Sequence, residues 1–196
     1  MKLCALALAG WWVAGATVAG VDPNKAAGSP SAPIAIEIFS DFECPSCKTF
    51  HETVLPELMS HYVIPGKVFV ASFEFPLPMH RYSREAAAYA AAASRVGMYA
   101  PVADALFRAQ QSWSVTGKVW EAVAGVLTPA QQKKVQALAK DPGVLAEVDK
   151  DVAMGHAVPV NETPTIVVIR GPRRIPLPGG LLRYELLKQL LDDLSK

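Results

Sequence analysis

Cysteine is scarce in this chain. There are three in 196 residues, and Cys4 lies ahead of an apolar N-terminal run. The two that remain, Cys44 and Cys47, are too few for a disulfide-rich scaffold. Net charge is also nearly absent. Nineteen basic residues stand against eighteen acidic ones, leaving +1. That balance gives no footprint for a nucleic-acid partner, and no tract of like charge marks a disordered tail. No internal repeat is visible. No strongly apolar run reaches the roughly 20 residues of a spanning helix, since residues 3–13 are short and broken by Gly10.

What is present fits one domain with a real core: 51% of residues are apolar and 19% charged. The N-terminus has the form of an export signal. Lys2 supplies the positive start, residues 3–13 the apolar stretch and residues 14–20 a run of small side chains. Thr17-Val18-Ala19 suits cleavage after Ala19, and Ala14-Gly15-Ala16 is a second candidate. The expected organisation is a signal peptide over 1–19, a flexible lead-in over 20–33 and the working domain over 34–196. The alternative is an uncleaved N-terminal membrane anchor. Either way the domain works outside the cytoplasm, periplasmic or extracellular.

Hydrophobic spacing then predicts the elements. Residues 34–39 read as a strand with Ile34, Ile36 and Ile38 on one face and Ala35, Glu37 and Phe39 on the other. A helix starts at the cysteine pair and carries Phe50, Val54, Leu58 and Tyr62 as a stripe, with a kink expected at Pro56. Residues 68–75 form a second strand. Residues 79–156 read as helical, with an alanine-rich stretch over 83–96 and starts at Thr128-Pro129 and Asp141-Pro142. Residues 166–169 and a short segment around Ile175 and Leu177 give two more strands. Leu182, Leu186, Leu187, Leu190, Leu191 and Leu194 give a closing helix an apolar face. The order implies an α/β sheet flanked by helices and interrupted by one all-helical insertion.

The chemistry-bearing motif is Cys44-Pro45-Ser46-Cys47. A thiolate, not a thiol, attacks disulfides. Cys44 falls at a strand-to-helix junction, where free backbone N–H groups and the helix dipole favour negative charge. Cys47 sits one turn on. These positions suggest an exposed nucleophile at Cys44 and a buried resolving thiol at Cys47. Ser46 could donate a hydrogen bond to the Cys44 thiolate. Three other readings of the pair remain: a zinc site completed by His51, a permanent structural bridge, or inert core thiols. His51, His61, His80 and His156 read as surface or capping residues.

Residues 37–47, followed by Phe50, His51 and Val54-Leu55-Pro56, resemble the DsbA-like branch of the thioredoxin fold. The resemblance continues through Pro76-Leu77-Pro78-Met79-His80 and resumes at Val160-Asn161-Glu162-Thr163-Pro164-Thr165. It implies a thioredoxin-like central mixed sheet with the helical insertion over about 79–156. It further implies a cis bond before Pro164, which faces the cysteines, and a Thr163 backbone that pairs with extended substrates beside Pro45 and Ser46. In similar proteins an acidic residue on the strand before the motif lies beneath the buried cysteine and shuttles its proton. Glu37 is the candidate, and a solvent-facing place near the sheet edge is the other reading of it.

The activity so implied is thiol–disulfide exchange with unfolded or extended polypeptides. It would need no metal or organic cofactor, and a membrane or soluble redox partner would reset a protein expected to be monomeric. Two departures qualify it. Ser46 stands where DsbA has histidine, so a Cys44 pKa below that of free cysteine but above DsbA's is expected. Thr163 resembles the isomerases of the fold and leaves the redox direction open. The alternatives are a reductase of exported thiols and a client-binding module without turnover.

Overall fold

The computed structural model describes Val18, residues 20–180 and residues 182–196. The expected signal segment, with Cys4, lies outside the described residues apart from Val18. Among those residues no helix is long and apolar enough to cross a membrane.

Five strands form one sheet in the order β1-β3-β2-β4-β5: β1 (Ala26–Ala27), β2 (Ile34–Ser40), β3 (Val68–Glu74), β4 (Thr165–Arg170) and β5 (Arg173–Pro176). The β2/β3 pair is parallel and the others are antiparallel. Alternation along the strands divides the side chains between two cores. Ile34, Ile36, Ile38, Val68, Val70, Ile166 and Val168 meet the stripe of the first long helix and Leu187, Leu191 and Leu194 of the closing helix (Tyr184–Leu194). The opposite face carries Ala35, Phe39, Ala71, Phe73, Val167 and Ile169.

The first long helix, α1, is continuous through Pro45–Thr49, Phe50–Val54, Leu55–Leu58 and Met59–Val63. Its second and fourth segments are π-helical. The Leu55 N–H reaches Phe50 O, five residues back, and the Ile64 N–H reaches Met59 O. The backbone thus widens immediately before Pro56, which then opens a new α segment, where its missing N–H removes no needed bond. This is how the irregularity expected at Pro56 is accommodated.

The insertion comprises α2 (Ser83–Ser94), α3 (Tyr99–Arg108), α4 (Gln110–Thr116), α5 (Val119–Ala124), α6 (Pro129–Leu138) and α7 (Pro142–Ala157); the closing helix is α8. Thr128 caps α6 in a reciprocal box with Gln131, and the Asp141 carboxylate caps α7. Alanines of α2 let the other helices approach closely. The resulting core holds Val102, Leu106, Trp113, Val119 and Val148 together with Phe42, Cys44 and Cys47. The helical cap therefore packs directly over the cysteine pair. On the sheet side, α7 comes so near the residue that follows β3 that a Cβ at Gly155 would lie 2.4 Å from the Phe75 ring.

The segment expected to be a flexible lead-in is docked instead. Residues Pro23–Lys25 make a 3-10 turn and β1 pairs antiparallel with β3, Ala26 opposite Ala71. Composition pointed to a loose tether, but composition does not register Lys25. Its ammonium lies buried 2.6 Å from Asp151 Oδ2 and 3.5 Å from Glu74 Oε1.

Candidate active site

Cys44 is the N-cap of α1 and Pro45 its first residue, so the helix begins at the motif as its sequence suggests. Both cysteines are free thiols. Cys47 is fully buried and Cys44 is 7% exposed, less open than expected for a nucleophile but the only one of the two that meets solvent. The Thr163–Pro164 bond is cis. It brings Thr163 O to 3.3 Å from Cys44 Sγ, which donates to it. The cis-proline turn and the cysteine turn therefore form one site.

The two thiols have opposite proton affinities. Cys44 is held well below an ordinary thiol, at about 5. The largest cause is the hydrogen bond from the Cys47 thiol. Burial opposes it, and the Thr163 side chain and the backbone N–H groups of Cys47 and Ser46 assist. The amide donors at the helix start thus contribute, but the neighbouring S–H contributes more. Ser46 acts through its backbone N–H. Thr163 adds a hydroxyl that is buried without a hydrogen-bond partner while Cys44 is a thiol. That idle donor gains an acceptor once Cys44 ionises. Cys47 is pushed well above an ordinary thiol, chiefly by burial and then by its bond to Cys44.

Glu37 needs correction. It is 2% exposed, so the solvent-facing reading fails. It also does not lie beneath Cys47. Strand alternation puts it with Ala35 and Phe39 on the face away from Ile38 and Ser40, which line the same cavity as Cys47. Its Oε2 instead accepts from Arg174 Nη2 of β5 at 2.6 Å. Alternation along residues 34–39 already separates Glu37 from Ile38, so the shuttle role implied by the resemblance finds no geometry at this position.

Several supporting residues had no visible role in the sequence. The Asp41 carboxylate accepts from the N–H groups of Glu43 and Leu77 at 2.7 Å each and from the Ser83 hydroxyl at 2.6 Å, and it pairs with His80 Nδ1 at 2.7 Å. The Asp41 N–H points at Cys47 Sγ, 3.4 Å away. Gln110, buried in the cap, donates to Phe42 O at 2.7 Å and Cys44 O at 2.9 Å. The one hint was Asp41 next to the motif and Pro76–His80 within the resemblance. His51, the third ligand of the zinc reading, is paired with Asp104 at 2.6 Å. Among the described residues no group of three or more His, Cys, Asp or Glu side chains is placed to hold a metal ion.

A family model described as Thioredoxin matches residues 21–193. The chain belongs to the thioredoxin family. Within the thioredoxin fold it is similar to alpha-DsbA1 of Wolbachia pipientis, with a TM-score of 0.72 at 20% identity over 88% of this chain and 91% of that one. It is 25% identical to disulfide bond formation protein D of Bacillus subtilis over 150 residues, 72% of this chain and 65% of the relative. Identity reaches 40% over 53 residues with the "Probable disulfide bond formation protein D" of Bacillus cereus, covering 27% of this chain and 24% of that protein. The chain thus matches less than two thirds of the length of these curated relatives. The mixed sheet with a helical insertion is the thioredoxin-like arrangement expected from the sequence.

Proposed function

We propose that this protein is an exported thiol–disulfide oxidoreductase acting on extended polypeptides, with Cys44 as nucleophile and Cys47 as resolving thiol. The observation that carries it is the split between the thiols: one lowered to about 5 beside a cis-proline, the other fully buried and raised. Two inert core thiols would both be raised by burial. In exchange, the Cys44 thiolate attacks a client disulfide, forms a mixed disulfide and expels one client thiolate. Cys47 then loses its proton and attacks Cys44. The intramolecular disulfide forms and the second client thiolate leaves. The reverse sequence oxidises a client dithiol.

Stabilising the Cys44 thiolate favours the dithiol form, so the disulfide form is an oxidant. Oxidation of clients is therefore the preferred direction. The similarity to disulfide bond formation proteins and the signal-like N-terminus support action outside the cytoplasm.

Equilibration against glutathione mixtures tests the direction. A midpoint well above the roughly −270 mV of thioredoxin is expected. A midpoint at that value would overturn the oxidising role in favour of a reductase. Cys44→Ser should abolish exchange and Cys47→Ser should trap a mixed disulfide. Retained function in the double serine variant would instead indicate a binding module.

A further inference from the structure

Charge is balanced over the whole chain but not over the two ends of the sheet. Ile34 lies opposite Val68 in β2/β3, Ala35 opposite Ile169 in β2/β4 and Arg170 opposite Arg173 in β4/β5. One end of the sheet therefore gathers three connections. These are residues 28–33 before β2, residues 64–67 between α1 and β3, and residues 170–174 around the β4–β5 turn. At the other end Phe39 faces Thr165, which follows the cis-proline, and Thr163 O meets Cys44. The length of β2, about 20 Å, separates the two ends.

The three connections hold Lys67, Arg170, Arg173 and Arg174 and no acidic residue. Strands lie about 4.8 Å apart, so the basic row from Lys67 across β2 and β4 to Arg173 spans about 15 Å. Arg174 is held by Glu37. Asp192, the carboxylate that Lys67 faces, is matched by Lys188 at 2.5 Å. Among the described residues no ion pair engages Lys67, Arg170 or Arg173.

Apolar surface accompanies this charge. Ile64 is 78% exposed at the end of α1, and Pro65 and Pro172 are exposed beside the basic residues. The Lys67 N–H returns to Tyr62 O at 2.9 Å, which fixes the turn that presents Ile64. A Cβ at Gly66 or at Gly171 would meet nothing within 4 Å, so both turns stand clear of the rest of the molecule. The edge strand β5 is a poor template for an extended peptide. It is four residues long, ends in Pro176 and follows Pro172, and neither proline has an N–H. Unpaired cations around a projecting apolar side chain, without strand pairing, suit a diffuse anionic surface with an apolar layer beneath it.

We propose that this end of the sheet rests on an anionic phospholipid surface, with Lys67, Arg170 and Arg173 on the headgroup phosphates and Ile64 dipping between them. This rests on the reading above that the domain works outside the cytoplasm, and it adds where the domain works there. Cys44 and Pro164 then face away from the lipid, about 20 Å above it, toward arriving polypeptides. Each cation near such a surface contributes about fivefold in affinity, so three contribute about 100-fold.

Sedimentation of the full chain with vesicles tests this. One set is phosphatidylcholine alone and the other is phosphatidylcholine and phosphatidylglycerol in equal parts. The apolar N-terminus acts on both sets, so the ratio of the two affinities reads the basic end. Native protein should favour the anionic set, and about 1 M salt, which shortens screening to about 3 Å, should erase the preference. Lys67→Gln/Arg170→Gln/Arg173→Gln should lower the ratio by about 100-fold, and Ile64→Ser should weaken binding to the anionic set further. Lys133→Gln/Lys134→Gln/Lys140→Gln removes the same charge from exposed positions in and just after α6 and should keep the ratio. All variants should exchange with a small aromatic disulfide at the native rate. No anionic preference in the native protein, a native ratio in the first triple variant or an equal fall in the second would overturn the docking surface. Failure of the native protein to exchange would instead overturn the assignment of Cys44, whatever the vesicles show.

Discussion

Glu37 and Glu74 are buried carboxylates on adjacent strands of one sheet, yet they occupy opposite faces and different kinds of site. Glu37 meets one cation, Arg174, whose side chain is 45% exposed, so water borders the pair. Glu74 is shut in with Lys25, Asp151 and Tyr99, and Lys25 must serve two carboxylates. An edge pair fixes the place of a strand. A sealed cluster with more anions than cations holds a labile proton. Burial alone does not separate the two cases; the number and exposure of the partners does.

The sharpest way to break this comparison is to remove the cations. Lys25→Ala leaves Glu74 and Asp151 facing one another. Above pH 7 it should lower unfolding free energy by about 3–5 kcal/mol in urea denaturation. Arg174→Ala should cost less, about 1–3 kcal/mol, because water reaches the carboxylate left behind. Equal losses would erase the distinction between sealed and edge sites. The smallest effect is one of pH. The folded protein binds the Glu74 proton more tightly than the unfolded chain, so this stabilisation is complete below about 4.5 and is lost as pH rises to about 7. Urea midpoints across that window should fall with pH in the native protein. The fall should be shallower in Glu74→Gln, and an unchanged slope would argue against a raised carboxyl.

Much of the architecture was legible because its signals are local. Alternation in residues 34–39, the proline caps at Thr128 and Asp141 and the leucine stripe of α8 all mark their elements. The cysteine pair was legible because Pro45 must open a helix. What stayed hidden depends on distant partners. Alternation puts Glu37 on its true face, with Ala35 and Phe39, but its partner Arg174 lies 137 positions away. Lys25, in a stretch of Pro, Gly, Ala and Ser, gave no sign that residues 126 positions away would bury it. Gln110 and Asp41 are polar residues whose role lies in backbone groups brought to them by the cap and by the loop before α2.

Cys44 and Cys47 share one apolar core with Trp113, Val119 and Val148. An exchange centre is usually imagined as a surface fixture that could be tuned by its immediate loop. Here burial under the cap is one of the causes that shift the proton affinities of both thiols. Substitutions deep in the cap would then retune the pair without touching the motif itself.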